Sequence, residues 1–243
     1  MLKPALEATP TLITMSKQVT DKLLEIRIPK GKRAFLITAD VVSMYTNIPL
    51  DKLAGVCERA IYKHSRTPSD SLFARIELSR RLCDIANSLL IFEFQEGDHS
   101  DFYHQVKGLA MGVACSPDLA NLYMAEYEQH MPSVEGILLY QRYIDDIFTI
   151  ILADSEEDAE RRFRHSMPAP PGLEFTVEVS EHRMVFLDLE IFRNKKDSHF
   201  QFRAFRKPLN HFERIPFSSA HPYWMKRGAF VSELSRLATL SSC

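Results

Sequence analysis

Apolar residues in this chain gather into short runs separated by charged stretches and by proline or glycine breaks. Ala34-Phe35-Leu36-Ile37-Thr38-Ala39 is a run of strand length that ends directly on Asp40. Ile137-Leu138-Leu139-Tyr140 and Ile147-Phe148-Thr149-Ile150-Ile151-Leu152 are two more, and between them lies Tyr143-Ile144-Asp145-Asp146. Two β-type runs meeting at an acidic pair predict a tight hairpin with the carboxylates at its tip. Phe92-Glu93-Phe94-Gln95 and Phe102-Tyr103-His104-Gln105 alternate around Glu96-Gly97-Asp98, which predicts a second hairpin. Further strands are expected over 174–179, 185–192 and 200–205. Helical spacing marks 16–26, with Ser16 as N-cap, and 51–64, then 67–90, with Leu72, Ile76, Leu82, Ile85, Ala86 and Leu89 as its core positions. Pro117 is placed to open a helix reaching about His130, and Ser155 to begin another with Glu156, Glu157 and Asp158 in its first turn. Asn47-Ile48-Pro49 is expected to stop the strand that carries Asp40. The pattern predicts an α+β fold, an antiparallel or mixed sheet flanked by helices on one face, with a boundary near residue 205.

The acidic strand ends change this from a fold prediction into a chemical one. Two adjacent like charges beside a buried sheet are costly unless a positive group neutralises them. An isolated Asp-Asp pair reads most simply as a solvated turn. Asp40, at the end of a separate strand, supplies a third carboxylate about a hundred residues earlier. A strand-end carboxylate and a hairpin-tip pair can converge on two hard divalent cations ~3.5–4 Å apart, the arrangement that in-line phosphoryl transfer requires.

At these residues the chain resembles a reverse transcriptase palm, through three ordered blocks. They are Asp40-Val41-Val42-Ser43-Met44-Tyr45, then Gly108-Leu109-Ala110-Met111-Gly112-Val113-Ala114-Cys115-Ser116-Pro117 running into Asp118-Leu119-Ala120-Asn121-Leu122-Tyr123, then Tyr143-Ile144-Asp145-Asp146. Phe186-Leu187-Asp188-Leu189-Glu190-Ile191, with Arg206-Lys207-Pro208, Ser219-Ala220-His221-Pro222 and Lys226-Arg227-Gly228, is similar to the Penelope-like retroelement branch. Together these cover roughly residues 30 to 236.

The resemblance implies a right-hand polymerase palm over 30–205. It implies a helical lead-in over 1–29 as a remnant of fingers or connection, and the start of a thumb-like segment over 206–243. Asp40 and Asp145 become catalytic metal ligands, with Asp146 in a supporting or partial catalytic role because strand alternation should point it differently from Asp145, and with Val41 as a further metal-binding position. The cofactor implied is a pair of Mg²⁺ ions, with Mn²⁺ as a substitute. Tyr45 stands where the family has an aromatic gate under the sugar, or it is a core tyrosine. Met111, Gly112, Ser116 and Pro117 would shape the floor beneath the templating base pair, Met111 against the nucleobase or in the core. Phe186 to Leu189 is a core strand or a primer-grip hairpin, with Asp188 outside the catalytic set. Lys207, Trp224, Lys226 and Arg227 form an aromatic and basic cluster suited to a nucleic-acid strand, although Trp224 also fits half-buried packing. The partners implied are an RNA template, a DNA primer and deoxynucleoside triphosphates, with a separate fingers or nuclease segment as a further partner.

Two departures from the family stand out. Few residues precede Asp40, so fingers are expected to be largely missing and the thumb incomplete; Lys30, Lys32 and Arg33 are the nearby cations. Met111 occupies a position where many relatives have Gln. The leading expectation is an RNA-directed DNA polymerase, and the alternative is a truncated or domesticated relic that binds nucleic acid without polymerising.

Composition adjusts the picture only in places. The 243 residues are 45% hydrophobic and 26% charged, which suits a globular domain with a real core. No run approaches the ~20 apolar residues of a membrane span, and the first residues lack a signal-peptide core, so an intracellular protein is expected, nuclear if it serves a retroelement. The four cysteines form no C-x-x-C pair and read as free thiols, and none of the nine histidines forms an H-x-x-x-H or H-E-x-x-H pattern. A net charge of −2 is low for a nucleic-acid enzyme, but cations concentrate between Arg193 and Arg236 while acids gather over 154–160.

Overall fold

The computed structural model describes residues 2–64, 69–88, 90–97, 99–193, 199–207 and 215–242, with no account of the side chains of residues 69, 70, 86 and 87. The elements in chain order are α1 (Lys3–Glu7), α2 (Lys17–Glu25), β1 (Ala34–Val41), α3 (Met44–Asn47), α4 (Leu50–His64), α5 (Ser69–Ser88), β2 (Ile91–Glu96) and β3 (His99–His104). They continue with α6 (Ser116–Glu128), β4 (Ile137–Tyr143), β5 (Asp146–Leu152), α7 (Glu156–Ser166), β6 (Phe175–Ser180), β7 (Arg183–Phe186), β8 (Leu189–Arg193), β9 (Phe200–Ala204) and α8 (Tyr223–Thr239).

The central sheet has the order β4-β5-β1-β6 and is antiparallel throughout, one of the two forms expected within the α+β class. Strand alternation gives it two different faces. Phe35, Ile37, Ala39 and Val41 of β1 point into a core shared with α4, α6 and α7, and Tyr123, Leu119 and Phe163 are fully buried there. Ala34 and Leu36 point the other way, toward Val19 and Leu23 of α2 and toward the three-stranded sheet β7-β8-β9. The main helices thus lie on one face, as expected, but the second face is covered as well. Phe148 of β5 stacks on Phe186 of β7 at 5.3 Å between ring centroids, joining the two sheets.

Several local expectations change. The run over 185–192 is not one strand: Leu187, at φ 54°, and Asp188 turn the chain between β7 and β8, so this block is a hairpin. The strand carrying Asp40 stops at Val41, before Asn47, because Ser43 adopts φ 48° and starts the short α3. Ser16 holds the N-cap position of α2, but its hydroxyl bonds Asp188 and not the helix, while Gln18 Oε1 accepts from the Thr14 and Met15 N–H groups. Ser155 does cap α7, accepting from the Asp158 N–H at 3.1 Å. On α5, Leu82 and Ile85 are about half exposed and Leu72 and Ile76 only partly covered, while Cys83 is the position that reaches the core and Ser79 is buried one turn before it; Leu89 and the Ala86 side chain lie outside the described residues. The β2–β3 hairpin forms as expected but stands apart, exposed along both strands. Residues before 30 share the cores of the strands: the Ile13 N–H donates to the Arg142 carbonyl at 2.9 Å, and the Arg142 N–H donates to Thr11 at 2.8 Å. Cys57, Cys83 and Cys115 are free thiols, Cys57 hydrogen-bonded to Cys83 across α4 and α5. No described helix is long and apolar enough to cross a membrane.

Candidate active site

Register brings the acidic strand ends together. In the β1–β5 pairing Asp40 lies directly opposite Asp146, on the same face as Leu36 and Ile150, while Asp145 sits in the turn between β4 and β5. The Val41 N–H donates to the Asp145 carbonyl at 3.2 Å, so the turn is tied to the end of β1. Strand alternation was expected to point Asp146 differently from Asp145. Register sets Asp146 opposite Asp40, because Asp145 is a turn residue and the alternation starts only at Asp146. Like charges opposed across a sheet repel. The Asp40 carboxyl is held above its ordinary range by burial first and then by Asp145. Asp146 is raised by burial, then by Asp145 and Asp40, with Lys207 acting in the opposite direction.

The surroundings of this trio come from four elements. A cavity of about 180 Å³ beside it is lined by Thr38, Asp40, Asp146, Thr176, Glu178 and the β7 hairpin residues Val185 to Leu187. Glu178 is an acid that the sequence argument passed over, although alternation in β6 places Thr176 and Glu178 opposite Val177 and Val179. A cavity of about 820 Å³ lies on the helical side between α1, α4 and α6 and touches none of the three aspartates. A cleft that receives a long duplex is open rather than enclosed, so size does not identify it.

Tyr45 and the glycine loop sit together. Tyr45 is half-buried against the helical core, and its hydroxyl is raised by burial and by Asp145. The Leu109 N–H donates to the Tyr45 carbonyl at 2.6 Å, joining the first and second sequence blocks. Gly108, at φ 76°, is the glycine this junction needs: a Cβ there would lie 2.5 Å from the Thr46 backbone. Gly112 also has positive φ, at 95°, but faces open space. Met111 is 77% exposed, which removes the core-filling alternative. Ser116 is buried and its N–H bonds the Val113 carbonyl, so it supports the loop from beneath, with Pro117 in the first turn of α6. Lys107, also passed over in the sequence, donates to Asn47 Oδ1 at 3.3 Å, next to this junction.

The cations divide unexpectedly. Lys30, Lys32 and Arg33 precede Ala34 and therefore stand at the far end of β1 from Asp40, ~20 Å away by strand rise, and Arg33 is paired with Glu181 at 2.6 Å. Lys207 is the cation near Asp146. Lys226 donates to the Phe217 and Ser219 carbonyls, at 2.5 and 2.6 Å, fastening the preceding loop to α8. Trp224 is 71% exposed, which excludes half-buried packing, and Arg227 is exposed beside it. Asp188 is engaged by Ser16 and by Arg236 at 2.8 Å, consistent with a place outside the catalytic set. Lys195, Lys196, Arg214 and Pro208 lie outside the described residues.

Among the described residues no three acidic, His or Cys side chains are closed into a ready metal cage. The donor chemistry nevertheless fits a hard divalent cation: carboxylate oxygens from two adjacent strands, with no competing thiol or imidazole within the trio.

Comparison with known proteins bears on this arrangement. No curated protein sequence matches the chain. Among solved structures, apo telomerase from Candida tropicalis has a TM-score of 0.62 at 13% identity, covering 79% of this chain and 38% of that one. Telomerase from Candida albicans, in complex with a fragment of telomeric RNA, gives 0.61 at 12% identity, covering 84% and 38%. The RNA-dependent RNA polymerase of a human picobirnavirus gives 0.52 at 12% identity, covering 98% and 43%. The chain spans less than half the length of each, and the likeness is one of fold, that of a polymerase palm. The family model described as reverse transcriptase (RNA-dependent DNA polymerase) matches residues 2–169, most of the chain and all three sequence blocks. This chain belongs to the reverse transcriptase family of nucleotidyltransferase-type polymerases.

Proposed function

We propose that this chain is the catalytic palm of an RNA-directed DNA polymerase of a Penelope-like retroelement, extending a DNA 3′ end on an RNA template. The observation that carries the reading is the meeting of Asp40, Asp145 and Asp146 beside Tyr45. Asp40, Asp145 and Asp146 would hold Mg²⁺ or Mn²⁺, with the Val41 main-chain carbonyl as an added oxygen donor. Two such cations, when bound, supply activation of the primer 3′ oxygen and neutralise charge on the leaving pyrophosphate.

The remaining residues have roles of their own. Tyr45, fixed by its carbonyl bond to Leu109, places a ring under the sugar where a 2′-hydroxyl would collide, which selects deoxynucleotides. The exposed Met111 and the glycine loop offer a floor for the templating base pair, and the start of α6 favours nearby phosphate. Lys207 beside Asp146 is positioned to meet triphosphate or primer phosphate, and Trp224 and Arg227 to stack on and neutralise a strand. The Penelope-like assignment rests on the Phe186–Ile191 sequence of the β7–β8 hairpin together with Arg206-Lys207-Pro208, Ser219-Ala220-His221-Pro222 and Lys226-Arg227-Gly228. A retroelement enzyme of this kind would work in the nucleus, with a separate fingers or nuclease segment as partner.

The test is primer extension on poly(rA)–oligo(dT) with labelled dTTP and Mg²⁺, with this chain alone and with upstream coding sequence restored. Extension abolished by Asp145→Asn supports the reading. Extension that persists in Asp145→Asn or without divalent cation would refute it.

A further inference from the structure

The largest fully buried side chain in the described protein is a charged one, Arg142, on the strand that leads into the acidic turn. Arginine has five N–H donors in a rigid fork, and all five are engaged. Nε donates to Glu128 Oε2 at 2.8 Å and Nη2 to Glu128 Oε1 at 2.9 Å. Nη2 also reaches the Asn121 carbonyl at 3.1 Å, and Nη1 reaches Asn121 Oδ1 at 2.7 Å. The remaining N–H of Nη1 lands on the carbonyl of Ile144, at 2.7 Å.

Ile144 is the residue where the chain turns, immediately before Asp145, and its φ is 53°. A β-branched side chain rarely adopts that conformation, so something outside the turn must hold it there. The guanidinium provides the hold. Its counter-ion is fixed in turn: Glu128, without exposed surface, accepts from the Thr11 hydroxyl at 2.7 Å and from the Tyr140 hydroxyl at 3.1 Å. The backbone of Arg142 is clamped by Thr11 and Ile13 on its other side. Stability alone does not account for this network, because an apolar pair of similar volume in such a site is often as stable.

We infer that Arg142 is a positioning residue for the Asp145–Asp146 turn, acting through the Ile144 carbonyl, with Glu128 and the N-terminal Thr11 holding the guanidinium in place. The inference rests on the reading of those aspartates as the catalytic pair. It also gives the N-terminal segment a part in the site: residues 11–13 brace the strand that carries the turn.

Two variants test it. R142K keeps the charge but loses the fork, and R142M/E128L removes both charges so that neither is left orphaned. Amide hydrogen exchange is read at Val41, whose N–H is donated to Asp145, against amides in the middle of β1 and β5. Mn²⁺ binding is followed by electron paramagnetic resonance. Both folded variants are expected to exchange about tenfold faster at Val41, with the mid-strand amides unchanged. Mn²⁺ affinity should fall about 10- to 100-fold. Unchanged Val41 exchange in either folded variant, or equal acceleration throughout the sheet, overturns the inference. If the wild-type protein binds no Mn²⁺, the two-metal reading fails, and Val41 exchange decides the positioning role by itself.

Discussion

Asp146→Asn should make the metal-free protein more stable and the metal-loaded protein less stable than wild type. Asp146 faces Asp40 across the β1–β5 ladder, and like charges directly opposite cost about 0.2–1 kcal/mol. Asp145 adds to the repulsion and Lys207 offsets some of it, while both carboxyls keep enough solvent to screen it. A gain of about 0.5–1 kcal/mol follows, or ~1–4 °C in Tm for a domain of this size. The pH dependence fixes the sign. Both carboxyls are raised above the ordinary 3.8, so the folded protein keeps protons that the unfolded chain has released. Wild-type stability therefore falls as pH rises from 3.8 through the raised values, and the advantage of the variant grows over the same window. Below 3.8 the two proteins should match. Divalent cation reverses the order, because ligand at a hundred times its Kd adds about 2.7 kcal/mol to a protein that binds it. Thermal unfolding by circular dichroism between pH 3.5 and 8, in EDTA and across a Mg²⁺ titration, would show the curves crossing. An advantage independent of pH, or the same Mg²⁺ response in both proteins, would refute the reasoning.

Three further outcomes are expected. Gly108→Ala should destabilise by at least ~2 kcal/mol, because a Cβ meets the Thr46 backbone, whereas Gly112→Ala, with only its φ to accommodate, should cost about 1 kcal/mol; equal urea midpoints would mean that the loop does not approach α3 closely. Tyr45→Ala in an extension-competent protein should raise ribonucleotide use relative to deoxynucleotide use, and an unchanged ratio of kcat/KM would mark the ring as packing. Trp224→Ala should weaken single-stranded RNA binding by the ~1–3 kcal/mol of one stacked base, with steep salt dependence in both proteins; since Trp224 is the only tryptophan, fluorescence quenching on titration into wild type reports the same contact, and no quenching would remove it from the interface.

What could be read from the sequence follows the range of the forces involved. The β4–β5 hairpin, β1 and its terminal Asp40, and the Pro117-led α6 were all predictable, because period, turn residues and caps act over a few residues. The single strand expected over 185–192 failed for a local reason that composition hides. Leu187 takes a left-handed conformation that leucine rarely adopts, and Asp188 is drawn off by Ser16 and Arg236, far away in the chain. The core positions expected on α5 failed for the opposite reason: helical spacing is present, but α5 meets the core through Cys83, and no described element packs over Leu82 and Ile85. Periodicity records which face is apolar and carries no information about what covers it.

The site divides along the same line. Its carboxylates, its aromatic residue and its glycine loop are contiguous blocks, and their order alone pointed to the chemistry. The direction of Asp146 depended on whether alternation begins at Asp145 or one residue later. A shift of one residue exchanges the faces of a strand, and here the choice is made by a turn at Ile144 that Arg142 holds from the core. That hold runs through Glu128 to Thr11, 117 positions away from Glu128 in the chain. In a one-dimensional reading Arg142 is a polar residue among strand apolars, Glu128 the end of a helix and Thr11 an unremarked threonine. Each becomes a constraint on the acidic turn only when the sheet forms, which is why the residues that aim the carboxylates were harder to find than the carboxylates themselves.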